Sequence, residues 1–406
     1  MADAPTATDS RYWTAILLWE SCRRHGRAEV VEEALDRGAD LDLAVEAAAR
    51  HRLTSLLWRV LSTAGRTEAL GERRQWLADV AEVYRFEAAL LLPAAVRSAV
   101  TPLTDAGYEP VILKGPAVAA RYPEPGLRRM GDIDILLPED DHVGALRALD
   151  SAGWRVTRPR RRDRYDSILI HPDVPALALE LHYGLEAWYE RVTTLDPYDL
   201  WESRVPIDCL GTKAFGLPLA HEIVALAAHA GKPFHGFSEL IWIADLAMVT
   251  GHSVELGRPV DWDEVAALAR RNCCITVVAS ALALARRVGV GVPEDLLPLP
   301  TSGWRAAALE PLLGVMWPLD HEHISTFHLR FALADSFGRR LALQMGSGHG
   351  AGLEGRLRYA VGAPLLAVRT LLRLRRRRSR VRSENERGSA SLDARLGSSQ
   401  VPRPLA

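Results

Sequence analysis

Two aspartates separated by one residue, Asp132 and Asp134, have the type and spacing to hold a metal ion. They open a short apolar segment that ends at Pro138 and is predicted to be a β-strand. A strand points alternate side chains to the same face, so the two carboxylates lie together. Adjacent carboxylates repel each other unless a proton or a cation intervenes, and magnesium is the usual cation. The competing interpretation is that Asp-x-Asp is a common tripeptide at strand ends and in turns.

A third carboxylate, Glu180, lies in the segment Ala176 to His182, where leucines alternate with smaller or polar residues. In a strand the leucines occupy one face, and Glu180 and His182 share the other. A glutamate in so apolar a strand needs a partner, and a metal shared with Asp132 and Asp134 would supply one. We therefore predict that the three acids are catalytic and hold two Mg²⁺ or Mn²⁺ ions. An exposed glutamate on an edge strand is the competing interpretation.

Lys114 and Gly115 follow the apolar run Val111 to Leu113 and precede a predicted helix that begins at Pro116. Glycine lets the backbone approach a phosphate, the helix start offers N–H groups, and the lysine adds a positive charge. Arg128 lies in a basic loop just before the paired aspartates. We predict that Lys114, Gly115 and Arg128 bind the nucleotide. A plain strand-to-helix turn, and an arginine that only neutralises the acids, are the alternatives.

Hydrophobic periodicity divides the chain into four parts. Apolar residues recur every three or four positions in residues 1–104, which predicts an N-terminal helical region. Residues 105–190 alternate strand and helix signals and are predicted to form the α/β core. Helical periodicity returns after Tyr183, which predicts a C-terminal helical region over residues 191–378. Residues 379–406 are predicted to be a disordered basic tail. The expected fold class is α+β, with a small mixed sheet flanked by helical regions.

One continuous stretch carries a family resemblance: LKGPAVAARYPEPGLRRMGDIDILLPEDDHVGALRALDSAGW, with LELHYGL downstream. It resembles the uncharacterised bacterial nucleotidyltransferases of the polymerase-beta superfamily. The resemblance extends more weakly to HRLTSLLWRVL and to HAGKPFHGFSELIWIADLA. It implies that Asp132, Asp134 and Glu180 are the three metal-binding acids of that superfamily. Lys114-Gly115 stands where the superfamily more often has Gly-Ser or Gly-Gly.

The resemblance implies a metal-dependent nucleotidyltransferase fold and a transfer that consumes an NTP. The expected reaction moves a nucleoside monophosphate to a hydroxyl or similar acceptor and releases pyrophosphate. A non-catalytic nucleotide-binding or scaffold protein on the same fold is the alternative. A kinase-like phosphotransferase is disfavoured, because the chain has no HGD-type catalytic loop.

Two further residues are candidates for substrate binding. His182 either contacts the acceptor, orients Glu180, or is structural. Asp245 lies on an apolar helical segment and either faces the substrate cleft or pairs with an arginine. His229 and His235 flank Gly231-Lys232-Pro233, where packing is favoured over a metal cluster.

Charge and cysteine content narrow the possible partners. The formal net charge is −1, so the chain as a whole is not an electrostatic nucleic-acid binder. The arginine-rich run Arg373 to Arg382 is predicted to be a solvated tail, with a weak contact to acidic lipid or RNA as the alternative. Four cysteines lack zinc-site spacing, and neither a secretory signal nor a membrane span is predicted. These features predict a cytoplasmic protein.

Overall fold

A seven-stranded mixed sheet lies at the centre of the described part of the chain. The strands occur in the order β3-β4-β5-β2-β1-β7-β6 across the sheet. The pairs β2–β5 and β1–β7 are parallel, and the other neighbouring pairs are antiparallel. Their bounds are β1 Val111–Ile112, β2 Asp132–Leu136, β3 Arg155–Arg158, β4 Asp166–Ile170, β5 Ala178–His182, β6 Val205–Cys209 and β7 Thr212–Gly216.

The structure, a computed structural model, describes residues 7–159, 166–171, 173, 177–184, 193–232, 235–320 and 326–336. The predicted basic tail and its run Arg373 to Arg382 lie outside these residues. The end of the predicted C-terminal helical region, beyond residue 336, also lies outside them.

Helices precede and follow the strands of the sheet along the chain. The predicted α+β fold class is therefore confirmed. The helices before the sheet are α1 Ala7–Ser21, α2 Ala28–Asp36, α3 Leu41–Arg50, α4 Thr54–Thr63, α5 Arg73–Phe86 and α6 Leu92–Asp105. Those between its strands are α7 Pro116–Ala119, α8 His142–Ser151 and α9 Pro197–Glu202. Those after it are α10 Leu219–Ala230, α11 Ile241–Glu255, α12 Trp262–Arg271, α13 Ile275–Arg287, α14 Gly303–Leu313, α15 Trp317–Asp320 and α16 Thr326–Leu333.

The pleat of β2 and β5 separates an apolar face from an acidic face. Ile133, Ile135, Leu179 and Leu181 are completely buried in a cluster with α6 and α8. Each of these side chains contributes ~1.5–3 kcal/mol to folding by leaving water. Residues at the alternate positions of these strands, such as Leu136, point to the other face and join a larger core made by the N-terminal and C-terminal helices. The acids therefore face those helices.

The hairpin β6–β7 differs from the prediction, which expected only helices after Tyr183. Both central turn residues, Leu210 and Gly211, have positive φ angles of 54° and 79°. Positive φ at both positions is typical of a type I′ hairpin turn, usually signalled by Asn-Gly. Leu-Gly gives no such signal, so this turn was missed. Phe215 pairs with Val111, and the hairpin thereby extends the sheet beyond residue 190.

The helices α5 and α6 are joined by a π-helical turn, Glu87–Leu91, into one long helix, Arg73–Asp105. By length and composition alone this helix could cross a membrane. In the described fold its second half is a core helix, because Val96, Val100 and Leu103 are completely buried against the sheet cluster.

Gly126 fixes the loop before β2 against α5. The glycine is buried with φ +83°, and a Cβ there would overlap the backbone of Arg85. We expect Gly126→Ala to lower the free energy of unfolding by about 2–4 kcal/mol, because left-handed strain and overpacking add. Gly65→Ala is the matched control, since Gly65 has φ +66° and nothing within 4 Å of the added Cβ.

The control should lose only about 1 kcal/mol, the cost of the backbone conformation. Urea unfolding of both variants measures the difference. Equal losses would show that the loop moves away from α5 without cost.

Candidate active site

Strand register places the predicted acids on one face of the sheet. In the parallel pair β2–β5, Asp134 lies beside Glu180 and Asp132 beside Ala178. Residues in register on neighbouring strands point to the same side, so Asp132, Asp134 and Glu180 share a face. His182, two residues after Glu180, lies on it as well.

The carboxylate of Asp134 is the centre of this face. It is completely buried, and its Oδ1 accepts hydrogen bonds from Lys114 Nζ at 3.1 Å and from His182 Nε2 at 3.0 Å. His182 Nε2 also lies 3.5 Å from Glu180 Oε2. Lys114 reaches this position because the N–H of Leu113 donates to the carbonyl of Asp134, which holds the end of β1 against β2.

The ionisable groups of the site stabilise one another's charges. Burial would raise the pKa of Asp134, but Lys114 and His182 hold it well below its usual value. Burial would lower the pKa of His182, but hydrogen bonds to Asp134 and Glu180 raise it to about 9. Likewise the acids outweigh burial and raise the pKa of Lys114. The hydrogen bond from His182 is the main cause that lowers the pKa of Glu180.

Asp132 lies at the open start of β2, beside Gly115. Its pKa is raised, first by burial and then by the charge of Asp134. Gly115 has φ +62°, and a Cβ there would lie 3.2 Å from the carbonyl oxygen of Asp132. Glycine is therefore required where the chain turns from β1 into α7 past this strand.

The donor set fits a divalent cation. Asp134 Oδ2 is buried and makes no hydrogen bond among the described residues. One ligand atom each from Asp134, Glu180 and His182 lies within 4.8 Å of the others. Asp132 is outside this tight group, and the predicted set of Asp132, Asp134 and Glu180 as metal ligands stays a prediction. With three carboxylates against the charges of Lys114 and a protonated His182, the face keeps a net negative charge that would favour a cation.

A small cavity of about 60 Å³ separates this face from the C-terminal helices. Its sheet side is lined by Lys114, Asp134, Glu180 and His182, and its far side includes His229 and Lys232. The chain has only three lysines, Lys114, Lys213 and Lys232, so two of the three line this cavity. Sequence analysis placed Lys232 between two histidines without giving it a role, and the scarcity of lysine was the missed signal.

His229 and His235 form an aromatic cluster with Trp242. The ring of His235 stacks on Trp242 with centroids 4.4 Å apart, and His229 contacts both rings edge-on. Burial, with the charge of Lys232, lowers the pKa of His235 to about 3, and burial also lowers the pKa of His229 far below its usual value. Both rings are therefore neutral and packed, as the favoured interpretation of the sequence expected.

Arg128 and Asp245 form a buried, bidentate ion pair. Arg128 Nε and Nη2 donate to the two carboxylate oxygens of Asp245 at 2.7 and 2.9 Å, and Tyr122 Oη donates to Oδ1 at 2.7 Å. The side chains of Arg128 and Asp245 are 11% and 0% exposed. Asp245 therefore pairs with an arginine, one of its two expected alternatives. Arg128 is neutralised by Asp245 in this structure, and its predicted contact with the nucleotide stays a prediction.

A mixed sheet with three acids on one face of two parallel neighbours is the architecture of a nucleotidyltransferase-like core. The chain belongs to the uncharacterised nucleotidyltransferase family, whose family model matches residues 37–289. That match includes most of the N-terminal helices, the whole sheet, and helices α10 to α13. Neither the curated proteins nor the solved structures contain a match to this chain.

The ion pair generates a stability prediction. Asp245→Asn leaves the guanidinium of Arg128 buried without its counter-charge, and we expect a loss of about 3 kcal/mol or more in unfolding free energy. The control is Asp150→Asn, which breaks the exposed pair Arg155–Asp150, whose side chains are 61% and 66% exposed.

Exposed pairs contribute ~0–1 kcal/mol, so the control should unfold almost like the unchanged protein. Denaturant unfolding followed by circular dichroism gives both values. Similar small losses in the two variants would mean that Arg128 finds water or another acceptor.

Proposed function

We propose that this chain is a metal-dependent nucleotidyltransferase. It transfers a nucleoside monophosphate from an NTP to a hydroxyl or similar acceptor and releases pyrophosphate. The observation that carries the proposal is the register of Asp134 with Glu180, which sets a buried, unpartnered carboxylate oxygen beside a second acid. Membership of a nucleotidyltransferase family supports it.

The residues that would hold metal are Asp132, Asp134 and Glu180, and His182 could join them only by losing the proton that it donates to Asp134. When bound, Mg²⁺ or Mn²⁺ at this site would supply neutralisation of phosphate charge and activation of the acceptor oxygen. Because the protein ligands are mostly carboxylates, oxygen-preferring cations are the appropriate class. The earlier prediction of two ions remains part of this proposal.

Lys114 and Lys232 bind the triphosphate in this proposal, because they line the same cavity as the acids. In the reaction the acceptor oxygen forms a bond to the α-phosphorus, and the bond from that phosphorus to the bridging oxygen of pyrophosphate breaks. Glu180 takes the proton of the acceptor hydroxyl. The pyrophosphate leaves on the side of the two lysines, whose charges stabilise it.

The resemblance of the stretch around Asp132 supports a place in the polymerase-beta superfamily and a bacterial family. The free cysteines Cys22, Cys209, Cys273 and Cys274 fit a reducing compartment such as the cytoplasm. A non-catalytic nucleotide-binding protein is the second candidate. It is less well supported, because all three acids and the lysine are retained in one assembled site.

Asp134→Asn tests catalysis directly. The change keeps the volume but removes the charge at the centre of the site, so we expect NTP-dependent pyrophosphate release to fall about a thousandfold or more. Mg²⁺ and an NTP together should raise the melting temperature of the unchanged protein, since both bind only the native state. This joint stabilisation should be absent in the variant.

Asp150→Asn is again the control and should keep both activity and joint stabilisation. If Mg²⁺ and an NTP stabilise the unchanged protein together but no tested acceptor leads to pyrophosphate release, the non-catalytic candidate is favoured. Full turnover by Asp134→Asn would remove the catalytic assignment altogether.

Lys232→Ala tests the second lysine. Loss of one charged phosphate contact should raise KM for the NTP about tenfold and leave the fold intact. Lys213→Ala is the matched control, because Lys213 is exposed on β7 and does not line the cavity. Lys114→Ala should also raise KM. An unchanged KM in Lys232→Ala would place the triphosphate away from α10.

A further inference from the structure

An apolar pocket of about 320 Å³ opens beside the loop that leads into β2. It is distinct from the cavity that holds the lysines and has the size of a small-molecule site. The long helix α5–α6 provides one wall, and the loop with the start of β5 provides the other. The apolar and aromatic residues of its lining are Tyr84, Ala88, Leu91, Leu92, Ala94, Met130 and Leu177.

The loop and β5 side of the pocket is next to Asp132 along the strands, whereas Leu92 and Leu177 also belong to the apolar cluster on the other face of the sheet. Met130 precedes Asp132 by two residues, and Leu177 comes directly before Ala178, the register partner of Asp132. A hydrogen bond from the N–H of Ala178 to the carbonyl of Gly131 joins the loop to the start of β5 within this wall. The lysine-lined cavity instead contains Asp134 and lies at the other end of the row.

We propose that this pocket binds the base of the NTP, an inference that rests on the proposed function. A nucleoside triphosphate carries its base and its terminal phosphates at opposite ends. Transfer requires the α-phosphate at the acids, and Lys114 and Lys232 lie where the outer phosphates belong. The base must then lie beyond Asp132, on the side of the loop that carries Met130 and lines the pocket.

The lining has the chemistry that a base requires. The guanidinium of Arg129 lies 5.2 Å from the ring centroid of Tyr84, and bases stack on both kinds of planar group. Glu87 lines the pocket as well, and its carboxylate can accept a hydrogen bond from an exocyclic amino group. A base with such a group is therefore preferred over uracil.

The backbone of α5–α6 is irregular at this point. The π-helical turn Glu87–Leu91 contributes Glu87, Ala88 and Leu91 to the pocket. Single π-helical turns are frequent at functional sites, because the extra residue re-aims the side chains around it. Leu90, in the same turn, is 58% exposed and does not line the pocket.

The experiment compares nucleotides with their phosphate chain alone. Binding of ATP, GTP, CTP, UTP and inorganic tripolyphosphate to the full chain is measured by calorimetry with Mg²⁺. At least one nucleotide with an exocyclic amino group should bind more tightly than tripolyphosphate. Tyr84→Ala and Leu91→Gln should weaken that nucleotide by about tenfold and leave tripolyphosphate affinity unchanged.

The matched controls are Phe86→Ala and Leu90→Gln, the corresponding aromatic-to-alanine and leucine-to-glutamine changes. These two residues are 57% and 58% exposed and do not line the pocket. They should leave nucleotide affinity unchanged. Unaltered nucleotide affinity in both pocket variants would overturn the inference and assign the pocket to the acceptor or to no ligand. Equal weakening of tripolyphosphate would also overturn it.

The proposed function fails in a different way. If neither nucleotides nor tripolyphosphate bind the unchanged protein with Mg²⁺, both the nucleotidyltransferase proposal and the inference of a base pocket are wrong. If tripolyphosphate binds but no nucleotide binds more tightly, only the base pocket is overturned.

Discussion

The buried charge of Asp134 is the constraint on which the centre of the sheet depends. A carboxylate with no exposure is tolerated only when cations or hydrogen-bond donors compensate it. Lys114 compensates it from β1 and His182 from β5, so three adjacent strands are tied at one atom, Asp134 Oδ1. A slip of β5 by one residue would send Glu180 and His182 to the apolar face, so the same contacts also fix the register.

A second group of buried charges holds the loop between α7 and β2. Arg128 pairs with Asp245 of α11, and Arg121 pairs with Glu222 of α10. Buried pairs give little net stability compared with apolar packing, but breaking one is costly, so they select one arrangement of the chain. Here they set the loop that carries Met130 and leads into Asp132 against the C-terminal helices. The acidic face of the sheet and the helices opposite it are therefore positioned together.

Sequence periodicity was enough to predict the local parts of the site. Alternation in β2 and β5 put Asp132 with Asp134 and Glu180 with His182, because side-chain direction in a strand is a local property. The helical regions followed from the three-and-four spacing for the same reason. Whether the pair on β2 meets the pair on β5 depends on the register between these two strands. The resemblance implied that the acids meet, and the local pattern alone could not imply this.

The remaining features depend on contacts between distant residues. Arg128 and Asp245 are 117 positions apart, and nothing near Arg128 distinguishes an ion-pair arginine from a phosphate-binding one. Lys232, just after the end of α10, lines the same cavity as Asp134 and Glu180 although it is about fifty or more positions away in sequence from both acids. The hairpin β6–β7 lacks the usual turn residues, so its pairing with β1 is a tertiary effect.

The site contains its own counter-ions, and this explains how three acids can be kept together in a folded chain. Lys114 and a protonated His182 offset most of the charge of Asp132, Asp134 and Glu180. A divalent cation would bring comparable charge to the same oxygens, which would release the ammonium group of Lys114 toward a phosphate. In the proposed reaction the acids would be stabilised both before and after substrate binds, by different cations. Lysine suits this exchange better than arginine, because a point charge on a flexible stem can change partners without a fixed hydrogen-bonding geometry.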